Sequence, residues 1–313
     1  MTVDQDSIKS VAGKVWIPLR MEDLEPDTRQ KFLNALDKVP DLPLSVGKVI
    51  ETADNAESSL EDLAGLISSD PGLVSNILKV VNSSYYSLRN KTDNLHLAIV
   101  LLGFKEVRKI AVHSFFRRLI IDSQVHRRLT RQLWDHSYLV SVCAESLCPP
   151  DDQQKRGLLL TLGLLHDIGK FTLFSLAQGM KSGANHTEAA KIQAETKYTM
   201  EREEQVFRIN HPLVGALMAE KWNLSERFIS VLQRHHYPSF NGVNEIPREH
   251  LQDIAAVCFA DLLVNRYQGA EELPTPHPLF FEIAGFEPPL DRLLTEERLQ
   301  VLEKARNFLS VLQ

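Results

Sequence analysis

The sequence predicts an all-α protein in which an N-terminal bundle of short helices packs on a second, histidine-rich helical bundle. Apolar residues recur at helical spacing along most of the 313 residues, and the period-2 alternation typical of strands is nearly absent. The chain is 43% hydrophobic and 24% charged, which is typical of a globular protein with a substantial core. We divide it into a leader (1–38), a first lobe (39–128) and a second lobe (129–313).

Short helices with recognisable start signals are expected in the leader and the first lobe. One is predicted near Arg29–Leu36, and the apolar spacing from Leu60 to Ile67 predicts another, amphipathic one. Asp70 and Pro71 predict the start of the next helix, because Asp caps helices and Pro suits the first helical position.

A glycine separates the last two helices predicted in the first lobe. Leu95–Leu102 is expected to be helical, Gly103 to end that helix, and Lys105–Ile121 to form the next one. Helix, short turn and helix is also the pattern of a DNA-binding helix-turn-helix motif. The apolar stripe that contains Val107 and Ile110 favours core packing for the second helix instead.

Charge and cysteine usage restrict the function classes. The net charge of −6 argues against a general nucleic-acid binder, although Lys105–Arg131 carries eight basic residues against Glu106 and Asp122. That stretch either steers an anionic partner or is an ordinary solvated helical surface.

Three cysteines without a CxxC pair indicate a reducing compartment. With no secretory signal, and with the near-apolar run Gly157–Leu165 too short for a bilayer, we expect a cytoplasmic protein without membrane contact.

Histidines and aspartates lie on the apolar stripes of the second lobe, where an ionised group is costly unless it is paired or metal-bound. One such residue alone is most simply a core histidine with a hydrogen-bond partner, or an aspartate that caps a helix. Several of them, facing inward on five helices, predict a metal site instead. The candidate metal ligands are His136, His166, Asp167, His211, His235, His236 and Asp261.

Residues 166–170 read HDIGK and resemble the HDxGK signature of the HD metal-dependent phosphohydrolase superfamily. The candidate ligands follow the order of that superfamily's ligands: an upstream His, the HD pair, a later His, a His-His pair and a distal Asp. The stretches SDPGLVSNILKVVNSSYY (69–86) and AIVLLGFKEVRKIAV (98–112) narrow the resemblance to the HDOD family. LWDHS, HPLVGALMAEKW and RHHYP continue it, so that residues 39–267 carry the resemblance.

The resemblance implies a signalling or regulatory module, and many members of this family have lost part of the HD site. This chain keeps the full set, but it lacks the Gly-Tyr-Pro loop of the relatives that cleave cyclic di-GMP. It has Gln132 where some of those enzymes use a Glu for a third metal. The resemblance makes Asp167 and Lys170 the candidate catalytic residues, with Lys170 near a substrate phosphate. A solvent-exposed Lys170 after a helix-ending glycine is the alternative.

We therefore expect a bacterial signal-transduction module with a buried His/Asp metal site. It would sense a nucleotide or phosphate ligand, or a metal redox state, and act on a signalling protein in trans. The alternative is a metal-dependent phosphohydrolase or cyclic-nucleotide phosphodiesterase, in which the metal activates a water molecule. The expected cofactor is one or two divalent transition-metal ions, with iron preferred over manganese or zinc and two ions over one. We do not expect nucleic acid as a partner.

Overall fold

The computed structural model describes residues 19–51, 59–83, 86, 91–122, 127–179, 200–239 and 247–312. Within these ranges the chain is helical and contains no strand, which confirms the predicted all-α fold class. The first helices are α1 (Pro26–Asp37), α2 (Leu44–Glu51), α3 (Leu60–Ser68), α4 (Pro71–Val81) and α5 (Leu95–Asp122). The later ones are α6 (Arg127–Ser146), α7 (Gln153–Leu165), α8 (Gly169–Gly179), α9 (Met200–Phe207), α10 (His211–Lys221), α11 (Glu226–Arg234), α12 (Leu251–Tyr267), α13 (Pro278–Ala284) and α14 (Glu296–Leu312).

Local capping explains where the early helices begin. The side chain of Asp70 accepts a hydrogen bond of 3.0 Å from the backbone N–H of Leu73, and Pro71 occupies the first helical position of α4, as predicted. Helix α1 begins at Pro26, earlier than expected, because this proline also stands at a helix start rather than breaking one. Helix α2 was not predicted from the sequence.

Helix α5 is bent at the expected glycine. Gly103 has a φ of +75°, a conformation that L side chains rarely adopt, and it separates two helical halves. Val107 and Ile110, on the second half, are buried against the rest of the first lobe, as expected for a core face. Most arginine side chains of the basic stretch lie outside the described residues, so the two interpretations of that stretch stay predictions.

Helices α6, α7 and α12 form the centre of the second lobe. Helices α6 and α7 approach closely because Gly163 has no side chain: a Cβ there would lie 2.8 Å from the Cα of Ser141. Helix α12 packs against both, and α14 covers the other side of α6. The Pro-rich composition of 271–289 indicates a loop, but Pro278 starts α13 there, and Gly285, with a φ of +71°, ends this helix.

The leader helix α1 packs on α8 of the second lobe. The Nζ of Lys221, at the end of α10, donates to the carbonyl oxygens of Leu36 (3.0 Å) and Val39 (2.7 Å). The Nε1 of Trp222 donates to the carbonyl oxygen of Pro40 at 3.1 Å. These bonds cap the C-terminal end of α1 and fix the leader against the second lobe.

Among the residues that the structure describes, one segment, Gln154–Phe174, is long and apolar enough to cross a membrane by length and composition. It comprises α7, the turn after it and the start of α8, and 94% of its most apolar window is buried inside the protein. The core helix of a soluble protein gives the same signal, so this is weak support for a membrane span.

Candidate metal centre

Five elements bring the candidate ligands together at one place in the second lobe. The sequence indicated that the His-His pair lies on α11, but this helix ends at Arg234 and both histidines lie in the turn that follows. The positions are His136 on α6, His166 and Asp167 in the turn after α7, His211 at the start of α10, His235 and His236 after α11, and Asp261 on α12.

Asp167 lies between two groups of histidines and gives one carboxylate oxygen to each. Its Oδ1 is 3.1 Å from Nε2 of His211 and 3.8 Å from Nε2 of His235. Its Oδ2 is 3.4 Å from Nε2 of His166 and 3.9 Å from Nε2 of His136. A carboxylate in this position has the geometry to bridge two cations.

Two sets of ligand atoms, each within 4.8 Å of one another, are compatible with one ion apiece. In the set formed by His136, His166 and Asp261, the Nε2 of His136 and the Oδ1 of Asp261 are 3.0 Å apart. Asn265 holds that carboxylate with a hydrogen bond of 2.8 Å from its Nδ2. The first set is Asp167, His211, His235 and His236, and the second is His136, His166 and Asp261.

Hydrogen bonds to backbone carbonyl oxygens orient the rings of His166 and His235 so that their Nε2 atoms face the centre of the site. The Nδ1 of His166 is 2.8 Å from the carbonyl oxygen of Gly163, and the Nδ1 of His235 is 2.9 Å from that of Leu232. A carbonyl oxygen can only accept, so in each ring Nδ1 carries the hydrogen and Nε2 keeps its lone pair. This is the tautomer that a metal-binding histidine needs.

Three buried atoms at the centre have no hydrogen-bond partner within the described part of the chain: Nε2 of His166, Nε2 of His235 and Oδ1 of Asp167. Nε2 of His211 lies 3.1 Å from this Oδ1 and 3.0 Å from Nε2 of His236, and only the contact with His236 has the geometry of a hydrogen bond. Buried polar atoms are normally satisfied, and three unsatisfied lone pairs that converge on one place are the donors a divalent metal takes. The residues present therefore fit such an ion, in agreement with the cofactor expected from the sequence.

Burial and neighbouring charges shift the pKa values in opposite directions. Burial, with the charge of His211, lowers the pKa of His236 to about 3, and burial with the neighbouring histidines holds that of His235 well below its usual range. For His211 burial opposes the charged form, but the carboxylates of Glu203 and Asp167 together outweigh it and raise the pKa. For Asp167 burial favours the neutral acid, but the surrounding cations hold the pKa well below its ordinary value.

Lys170 is buried, with 8% of its surface exposed, and its Nζ donates to Oδ2 of Asp167 at 2.6 Å. The solvent-exposed alternative for this lysine is therefore wrong, because α8 begins inside the bundle and its second residue faces the centre. Burial disfavours the ammonium, but Asp167 stabilises it and raises its pKa.

Gly169 allows the HDIGK turn to approach the start of α10. A Cβ at this position would overlap the carbonyl oxygen of His211 and would lie 2.7 Å from the backbone nitrogen of Gly215. Only a residue without a side chain fits between these two helix starts without movement. The packing of Gly169 thereby sets the distance between Asp167 and His211.

Sequence reasoning missed Glu203, a fully buried residue of α9 that binds both the backbone and the ring of His211. The segment from 178 to 204 is polar and contains glycine, which indicates a long connection with one helix. The signal that could have identified Glu203 is its position on an apolar helical stripe with Met200, Val206 and Phe207.

The model of the HDOD domain family matches residues 39–238, which is more than half of the chain. Asp261 lies beyond this match. A protein of Treponema pallidum (strain Nichols) is 25% identical over 291 residues, which are 90% of this chain. The match covers 53% of that relative, so the chain spans about half the length of the curated protein it matches.

Three solved structures share the fold. An HDOD domain protein of unknown function from Geobacter sulfurreducens has a TM-score of 0.69 at 20% identity, over 92% of this chain and 97% of its own. A candidate phosphohydrolase from Shewanella amazonensis SB2B has a TM-score of 0.62 at 17% identity, over 90% and 98%. A candidate signal transduction protein from Marinobacter aquaeolei VT8 has a TM-score of 0.66 at 18% identity, over 98% and 64%. By the match to its family model, and in agreement with the fold, the chain belongs to the HDOD domain family.

Proposed function

We propose that this protein is a bacterial signal-transduction module of the cytoplasm whose buried His/Asp site binds two divalent metal ions for structure or sensing. The observation that carries the proposal is the arrangement around Asp167, which presents one carboxylate oxygen to each set of ligands. Seven ligand-type side chains exceed what one tetrahedral ion requires. Imidazoles and carboxylates without thiolates suit iron, manganese or zinc, with iron preferred.

The burial of the site supports a structural or sensing role over efficient turnover. The side chains of His166, Asp167, His211 and His235 are at most 1% exposed. A catalytic metal site keeps an open coordination position beside a substrate pocket, whereas a structural site is closed. A cavity of about 390 Å³ lies elsewhere in the bundle, between α7, α12, α13 and the segment that joins α6 to α7, and none of the seven ligands lines it.

A metal-dependent phosphohydrolase or cyclic-nucleotide phosphodiesterase is the second candidate function. It is favoured by Lys170, whose ammonium group lies beside Asp167, where it would hold the phosphate of a nucleotide or another phosphate ester as a point charge. His136 and His236 expose 12% and 22% of their side chains, so a small ligand would approach from their side. The metal, when bound, would lower the pKa of a water molecule and polarise a phosphoryl oxygen.

Metal analysis and one substitution test the proposal. We expect close to two equivalents of transition metal per chain in protein purified without chelators. Asp167→Ala should lose most of both, since Asp167 belongs to the first set and its Oδ2 lies 3.4 Å from Nε2 of His166 in the second. Asp135→Ala is the matched control, because this half-buried aspartate of α6 lies near Arg131 and is not among the candidate ligands. Retention of both equivalents by Asp167→Ala, or their absence from wild-type protein made with metal supplied, would contradict the proposal.

Turnover distinguishes the two functions. A regulatory module should show no metal-dependent hydrolysis of phosphomonoesters or cyclic nucleotides, while an enzyme should reach the ~1–10³ per second usual for enzymes and lose it in Asp167→Ala. We expect the output to pass to a signalling protein in trans. Capture of that protein should differ between metal-loaded and chelator-treated forms of this chain.

A further inference from the structure

His211 differs from three other histidines of the site in the partner of its Nδ1. The corresponding atoms of His166 and His235 meet backbone carbonyl oxygens, and that of His136 meets the amide oxygen of Gln268 at 3.1 Å. These three acceptors are neutral. The Nδ1 of His211 instead lies 2.8 Å from both carboxylate oxygens of Glu203.

The local chain holds Glu203 rigidly in front of His211. Glu203 is fully buried on α9, and its Oε2 also accepts a hydrogen bond of 2.7 Å from the backbone N–H of His211. Arg208 turns the chain with a φ of +61°, and Asn210 then caps α10. The Nδ2 of Asn210 donates to Oε1 of Glu204 at 2.6 Å, which ties the end of α9 to the start of α10.

We infer that Glu203 is a positioning residue that orients His211 and strengthens it as a metal ligand, an inference that rests on the proposed metal site. The carboxylate fixes the hydrogen on Nδ1, so that Nε2 keeps its lone pair for a metal ion that it would share with Oδ1 of Asp167, 3.1 Å away. It also withdraws the Nδ1 proton partially from the ring and makes Nε2 more basic. Loss of such an outer partner typically weakens metal binding by ~10–100-fold.

A carboxylate is required because both groups that Glu203 meets are donors. The backbone N–H and the Nδ1–H of His211 each need an acceptor, and a carboxylate offers two. An amide of the same size offers one oxygen and turns an NH₂ group towards the second donor. Glu203→Gln therefore keeps the volume of the side chain but disturbs the ring of His211.

The experiment compares Glu203→Gln with Glu201→Gln, a half-buried glutamate of the same helix. Chelator-treated protein is titrated with Co²⁺ and with Zn²⁺, the dissociation constants are measured by competition, and the visible spectrum of bound Co²⁺ reports its ligand field. We expect one of the two equivalents to bind ~10–100-fold more weakly in Glu203→Gln, with a changed Co²⁺ spectrum. Glu201→Gln should match the wild type in both.

A double substitution separates positioning from stability. In a His211→Gln background, Glu203→Gln should cause no further loss of metal affinity, because its effect passes through the ring. If Glu203→Gln lowers the stability of the metal-free protein but leaves the dissociation constants and the spectrum unchanged, Glu203 is only a structural residue and the inference is overturned. If the wild type binds neither Co²⁺ nor Zn²⁺, the proposed function fails, and this inference fails with it.

Discussion

Adding a single methyl group at Gly169 should damage both the stability and the metal site of this protein. In Gly169→Ala the new Cβ would overlap the carbonyl oxygen of His211 and lie 2.7 Å from the nitrogen of Gly215. Ordinary contact begins near 3.4 Å, so clearing the nitrogen of Gly215 needs a separation of α8 and α10 of about 0.7 Å, and clearing the nearer carbonyl oxygen of His211 needs more. Overpacking of this kind costs about 1–3 kcal/mol, and we expect the upper end, because the opposing atoms are backbone and cannot rotate away.

The assay is thermal unfolding of chelator-treated protein followed by circular dichroism, together with metal analysis. A loss of about 3 kcal/mol should lower the melting temperature by about 6 °C, the lower end of the usual range, since this chain is large. Metal content should fall as well, because the separation moves His211 from Asp167. Gly65→Ala is the control: a Cβ at Gly65, on α3, would meet no neighbouring atom within 4 Å, and the change should stabilise the protein by about 0.4–1 kcal/mol. A Gly169→Ala protein that melts within about 2 °C of the wild type and keeps its metal would refute the reasoning.

Three further outcomes are expected. Glu145→Ala should lower the free energy of unfolding, measured with urea, by roughly 1.5–3 kcal/mol. The reason is that this buried carboxylate pairs with Lys105 at 2.5 Å and with Arg156 at 2.9 Å. An unchanged free energy of unfolding would mean that these ion pairs contribute nothing to stability. In metal-free protein the pKa of His236 lies at about 3, below its unfolded value near 6.5, so acidification from pH 6.5 to 5 should destabilise the wild type more than His236→Gln. An equal loss in both proteins would exclude His236 as the cause. Metal at a hundredfold excess over its dissociation constant should stabilise the native state by about 2.7 kcal/mol, detectable as a rise in melting temperature that EDTA reverses.

The sequence was sufficient to predict the fold class and the identity of residues that meet in the site, for physical reasons that differ from residue to residue. His136 and Asp261 could be recognised because each occupies an apolar stripe at helical spacing, where a polar side chain needs a partner. That they share one centre with His211 followed from the inward-facing set as a whole and from the resemblance, since spacing along one helix does not show which helices meet. Glu203 escaped because its segment is polar overall, so one buried carboxylate did not stand out there.

The environment of Lys170 could not be predicted either, because the sequence does not say how deeply a turn lies. A lysine after a glycine at a helix boundary is usually solvated, and here its burial depends on contacts between α8 and α10 that are distant along the chain. The same limit applies to Pro278, which lies in a Pro-rich, loop-like stretch and yet starts α13. Proline disrupts the interior of a helix and suits its first turn, and the choice depends on the residues that follow.

The docking of α1 has a practical consequence for anyone who isolates the part of this chain that matches the family. A fragment cut at residue 39, where the family match begins, would lose the carbonyl of Leu36 that Lys221 binds, and would remove the fully buried ring of Phe32 from the core. Burial of one such aromatic side chain contributes about 1.5–3 kcal/mol. The excised domain should therefore expose an apolar surface on α8 and associate or precipitate, while a fragment that starts before Pro26 should stay monodisperse.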